Sequence, residues 1–206
     1  MKQIVVDNNN NMIIGYCEGD GYVENGIEVE CFPEDFSYNF EYGKYLYIDG
    51  EIIINPDYNL IVLSNYTTNK INQMDNACKQ TIYKGLDITL EDGTIEHFTL
   101  DEQDQLNLSG IGLKLLMGAE TVAWHEDDET VPCRFYSAAD ATKIISTLTA
   151  WKEYHITYFR DLRIYINSLT TVEEIELIEY GFVLPEEFKS EVLMAYEQQL
   201  GMNINE

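Results

Sequence analysis

A chain of 206 residues with ordinary apolar and aromatic content holds one medium domain or two small ones and buries a core, which excludes a disordered tail. Its 12 Lys plus Arg stand against 37 Asp plus Glu, a formal net charge of −25, and such a field repels phosphate backbones and anionic lipid headgroups. No nucleic acid and no membrane are therefore expected as partners. The acid is uneven: residues 1–58 carry 2 basic and 12 acidic groups, residues 85–136 again 2 and 12, and residues 169–206 carry 1 and 9. The nearly neutral helical stretches between them read as seams that meet other protein while the acidic parts face solvent.

Residues 2–6 (KQIVV) and 12–17 (MIIGYC) are short β-rich runs around the polar 7–11, a hairpin pattern because Asn and Asp tolerate left-handed turn conformations. A second hairpin is marked by Asp49-Gly50 between YLYI and EIII, ended by Pro56. Residues 27–32 supply another strand before the aromatic PEDFSYNFEYG. The spacing predicts a helix over 58–84, with a thin seam of Leu60, Leu63, Thr67, Ile71, Met74, Cys78 and Thr81, stopped by Gly85.

A third hairpin runs from Leu86 through Asp92-Gly93 to Leu100, and Thr99 with Glu102 predicts a capping box for a helix near 101–117. Strands are expected at 122–125 and 131–136 around the turn EDDET. Ser137 with Asp140 opens the longest helix, 137–168, where Ala141, Ile144, Leu148, Trp151, His155, Tyr158, Leu162 and Tyr165 recur at steps of three and four. It spans roughly 45 Å. Thr171 with Glu174 predicts a helix to about Tyr180, and Pro185 a last helix to about Leu200 before a frayed GMNINE.

Few residues suggest chemistry. Asp7, Asn9, Asn11 and Glu18 have the spacing of a calcium loop, but Met12 stands where the turning Gly is needed and the flanks read as strands. Glu102 with Asp104-Gln105, and His125 beside Glu126, Asp127 and Asp128, are carboxylate groupings outside any pocket motif. His155 lies in the apolar seam as a hydrogen-bonded core residue or a register-setting one. Cys17, Cys31, Cys78 and Cys133 lack CxxC spacing or a paired His and read as reduced core thiols. No nucleophile, phosphate-loop or zinc-protease motif is present, so the expectation is no enzyme, no cofactor and no bound metal. The short apolar run of the N-terminus is no signal peptide and no segment approaches the roughly twenty apolar residues of a span, so synthesis in the cytoplasm is expected.

Three stretches carry a resemblance: Asp87-Ile-Thr-Leu-x-Asp92-Gly93 with Phe98-x-Leu100, Asp104-Gln105-x-Asn107-Leu108; then Cys133-Arg134-x-Tyr136-Ser137-Ala138-x-Asp140; then Lys152-x-Tyr154-His155-x-Thr157-Tyr158-Phe159. Over residues 70–168 the chain resembles a domain of unknown function found in tail proteins of phages and prophages of Gram-positive bacteria. The β-rich start looks like the small attachment modules of baseplate and fibre proteins. The resemblance implies a non-enzymatic structural subunit of a phage tail, at the baseplate, tail tip or fibre attachment. It would act by oligomeric assembly with other tail or baseplate proteins, reside in the virion and carry no catalytic residues.

The expected architecture is α+β: a β-rich attachment domain at 1–57, a connecting helix at 58–84, a hairpin plus long-helix domain at 85–168 and C-terminal helices at 169–206. Ile71, Met74, Ile144, Leu148, Trp151, Tyr158 and Leu162 are the expected assembly interface or helical core. A homo-oligomer is expected, with a trimeric stalk favoured. The seams pair within one chain or between chains, since a helical hairpin and a stalk use the same heptads. Two alternatives stand beside the structural subunit: a tail-fibre assembly chaperone, and a calcium-dependent carbohydrate-binding module.

Overall fold

The computed structural model describes residues 1–125, 127 and 130–199. The turn expected at 126–130 falls partly outside them, and the frayed end wholly. The fold is α+β, with antiparallel sheets and helices. The chain divides into two compact units, Met1–Tyr66 and Thr67–Glu206, so the boundary lies inside the helix α1 (Tyr58–Lys84) rather than at its ends.

In the first unit, strands β1 (Lys2–Asp7) and β2 (Met12–Glu18) form the expected hairpin. Its turn closes because Asp7 Oδ1 accepts from the Asn9 amide at 2.9 Å and Asn11 takes a left-handed φ of 60°. A bulge at Ile14 shifts the register between Val5 and Val6. Strand β3 (Ile27–Glu28) pairs with β1, β4 (Tyr45–Ile48) with β2, and β5 (Glu51–Ile54) closes the order β3-β1-β2-β4-β5. Asp49 and Gly50 both have positive φ, 52° and 87°, as a two-residue I′ turn demands.

The strand expected over 27–32 is only two residues long. Phe32 leaves the edge to set its ring 4.7 Å from Phe36 and 5.5 Å edge-on to Tyr16, and burying rings outweighs extending a ladder at an edge. Ile4, Ile13, Phe36 and Tyr45 are the buried core, with Tyr16, Phe32 and Phe40 packed against it. The thiols also depart from expectation: only Cys78 is buried, while Cys31 and Cys133 are exposed.

In the second unit, α1 ends at Gly85, whose φ is +67°. A Cβ there would collide with the Phe98 carbonyl, so glycine alone lets the helix end meet the next hairpin. Strands β6 (Leu86–Thr89) and β7 (Ile95–Phe98) pair through Asp92-Gly93. Helix α2 (Glu102–Leu116) follows, but its cap is Asp101, reciprocated by Asp104, rather than Thr99 with Glu102. Aspartate accepts from the third amide of the turn as well as threonine does, and Thr99 instead donates to Asp104 Oδ2 at 3.1 Å. Strands β8 (Thr121–Trp124) and β9 (Arg134–Ser137) pair, and Ser137 caps α3 (Ala138–Ser168), accepting from the Asp140 amide at 3.0 Å.

The C-terminal helices are shorter than their capping signals suggest. Thr171 does cap α4 (Val172–Glu176), but the helix stops four residues before Tyr180. Lys70 on α1 donates to the Glu176 and Ile178 carbonyls at 3.2 and 2.9 Å, and Ile178 goes into the core instead of onto a helical face. Pro185 opens only a 3₁₀ turn, Glu186–Phe188. Lys189 is extended, the Ser190 amide is taken by the buried Asp161 at 2.8 Å, and a separate α5 (Glu191–Gln199) begins there.

Candidate functional site

The seam residues lie in the core of one chain. Met74, Ile144, Leu148, Tyr158 and Leu162 are buried, and Ile71 and Trp151 are partly buried against them. Trp151 Nε1 donates to the Thr81 carbonyl at 3.3 Å and the Cys78 thiol to the His155 carbonyl at 3.4 Å. As the α1 number rises the α3 number falls, so the helices are antiparallel, and the pairing left open by the heptads is made within the chain. Ile82 joins Met74 and Cys78 as the buried face of α1, whereas Leu60, given to the seam by spacing, is 65% exposed.

Two clusters share α3. Ile144 and Leu148 meet Ile88, Phe98, Val122 and Tyr136 of the two hairpins. Met74, Tyr158 and Leu162 meet Ile178, Leu184 and Leu193 of the C-terminal segment. His155 stands where they adjoin, 7% exposed, its Nδ1 sharing a hydrogen bond of 3.0 Å with the Tyr180 hydroxyl. Its Nε2 is buried and has no hydrogen-bond partner among the described residues. Tyr158 donates to the Phe182 carbonyl at 2.8 Å and accepts from the Gly181 amide at 3.1 Å. A cavity of about 60 Å³ is lined by Tyr154, His155, Tyr158, Tyr180, Lys189 and Glu197 among others.

The electrostatics of this cluster favour neutral groups. Burial lowers His155 to about 4, and burial also pushes the Tyr158 and Tyr180 hydroxyls up. The Cys78 thiol is raised, again by burial. A general base works best with a pKa near the working pH and a nucleophilic thiol with a depressed one. These side chains are shifted away from both, which suits a polar joint inside a core.

A second polar joint escaped the sequence reading. Glu96 is 5% exposed, accepts from the Tyr136 hydroxyl at 2.8 Å and pairs with Arg134, whose guanidinium also lies 4.7 Å from the Tyr136 ring centroid. It ties β7 to β9. The signal was alternation: with Phe98 inward, Glu96 two residues earlier must face inward too. His97, on the opposite side of the strand, bonds Asp87 at 2.6 Å and the Lys84 carbonyl at 2.7 Å, and the Asp87 carboxylate raises its pKa.

The carboxylate groupings resolve differently. Asp104 is buried in the capping box of α2, and His125 Nε2 lies 3.7 Å from it, two residues the sequence reading kept apart. Glu126 and Asp128 lie outside the described residues. The calcium spacing does not converge, because Asp7 pairs across from Met12 at one end of the first hairpin and Glu18 from Lys2 at the other. Among the described residues no three His, Cys, Asp or Glu side chains form a metal-holding group. No helix among them is long and apolar enough to cross a membrane.

Fold and joints thus define an α+β protein with a small sheet module followed by a helix-centred one. Residues 66–180 match the model of a domain of unknown function, DUF4376, and the chain belongs to that family. Residues 1–60 match a second model, that of a protein of unknown function, DUF2977. No curated protein and no solved structure matches the chain.

Proposed function

We propose that this chain is a non-catalytic structural subunit of a phage tail, at the baseplate, tail tip or fibre attachment, working by assembly with other tail proteins and with copies of itself. The observation that supports it is where the residues of the tail-protein resemblance lie. Asp92-Gly93 turns a hairpin, Asp104 and Asp140 complete helix caps, and Tyr154, His155 and Tyr158 fill the α3 core. They are joints that hold a shape, and shape is what a structural subunit contributes. The strongly acidic remainder keeps such a subunit soluble before assembly.

The reading is tested on purified phage particles by mass spectrometry and by immunogold labelling. The chain is expected in fixed stoichiometry, with label at the distal end of the tail. Abundant chain in the lysate with none in finished particles would overturn the virion location and favour an assembly chaperone.

A further inference from the structure

The α1 and α3 seams are occupied inside the chain, so self-association needs another surface, and α2 carries one. Asp104, Leu108 and Ile111 are its buried face. On the opposite face Leu106, Gly110, Leu113 and Met117 form a stripe at steps of four, three and four, with the Leu and Met residues 68, 59 and 81% exposed. Leu116, 87% exposed, flanks it. Residues 105–119 contain no acid and a single Lys in a chain of net charge −25. Within this stretch a second equally acidic copy meets no like charge, and the exposed acids nearest to it, Glu102 and Glu120, lie beyond its ends.

We propose that the outer face of α2 is the contact between two copies of this chain, related by a two-fold axis near the Ile111-Gly112 step. Antiparallel pairing about that point sets Leu106 against Met117 of the other copy and Leu113 over its Gly110, twice each, the self-complementary match a two-fold interface requires. Gly110 has no heavy atom within 4 Å of where a Cβ would stand, and a groove of about 390 Å³ beside it, lined by Leu106 and Ala123 among others, receives the incoming Leu113. The stripe offers on the order of 500 Å² per copy, short of the roughly 800 Å² per partner of a long-lived interface. The pair therefore exchanges when free and persists where an assembly holds copies together. The inference rests on reading the chain as an assembly subunit, and it names the partner and the surface.

The test is sedimentation equilibrium of the full chain from roughly 10 µM to 1 mM. The mass is expected to climb from 23.8 kDa toward twice that value, and further at higher salt, which screens repulsion between the acidic copies. Leu113→Glu is expected to stay at the single mass throughout. Gly110→Leu distinguishes fit from stickiness: it adds apolar surface and helix propensity but fills the hole, so association is expected to fall at least tenfold. Leu60→Glu, on the exposed side of α1, is expected to behave as the wild type. A wild type that stays single at 1 mM, a three-copy mass, Gly110→Leu associating as tightly as wild type, or Leu60→Glu abolishing association would each overturn the proposal. Failure of the tail reading shows separately, in the particle composition.

Discussion

The two units solve the same problem by different means. The first has strands of two to seven residues, and its buried apolar core is Ile4, Ile13, Phe36 and Tyr45. It gains the rest from rings, with Tyr16 edge-on to Phe32, Phe36 and Phe40 at 5.5, 5.3 and 5.0 Å. The second threads one helix through two clusters, giving Ala141, Ile144 and Leu148 to one and Tyr154, Tyr158, Leu162 and Ile166 to the other. A short sheet has one face to cover and does so with a few large side chains, whereas a long helix distributes burial over many turns. Damage should stay local in the first unit and spread along α3 in the second.

Leu148→Asp breaks the contrast hardest. It puts an unpaired charge at a fully buried position, at a cost on the order of 4 kcal/mol or more. The expected outcome is loss of α3 helicity by circular dichroism and of amide protection throughout the second unit. Retained melting with only an altered sedimentation profile would mean that Leu148 faces a partner instead. Next comes Phe36→Ala, expected to cost about 3–5 kcal/mol. Hydrogen exchange should accelerate in β1, β2 and β4 while α3 amides keep their protection. Loss of both together would merge the units into one cooperative body.

The smallest effect depends on pH and divides the second unit internally. His155 is lowered from 6.5 to about 4 by burial, so the unfolded chain takes up its proton first. The stability it contributes is full above about 6.5 and lost as pH falls through 4, roughly 3 kcal/mol in all. His97 runs the other way. Its pKa is raised by Asp87, so its contribution is full below the unfolded value and lost as pH rises through the folded one. His155→Phe is expected to flatten the acid side of the melting profile between pH 4 and 7, and His97→Gln the alkaline side. A wild-type acid limb unchanged in His155→Phe would place the pH dependence elsewhere.

Much of this was legible because it is local. A dipeptide such as Asp49-Gly50 or Asp92-Gly93 dictates its turn through the φ values it tolerates, and Ser137 caps α3 through an amide three residues away. Where two local signals competed, sequence reasoning misassigned them: Thr99 and Asp101 are both competent caps, and the one nearer the helix took the role. Thr171 announced a helix start correctly and Pro185 only a 3₁₀ turn, with α5 starting at Glu191, and neither carried information about the ends and restarts that followed. Those were decided by Lys70 at the Glu176 and Ile178 carbonyls and by Asp161 at the Ser190 amide.

The sequence by itself determined the α+β class, the hairpins, the starts of the long helices and the 3.5-residue seam on α3, because each rests on interactions a few residues apart. Only the tertiary structure decided that the α1 and α3 seams face each other within the chain, that Glu96 and His155 are buried joints, and that α2 is left with an outward apolar stripe. A heptad specifies that a face must be buried and is silent about which surface buries it. That choice belongs to residues seventy or more positions apart, such as Cys78 and His155, whose meeting depends on the path of the whole chain.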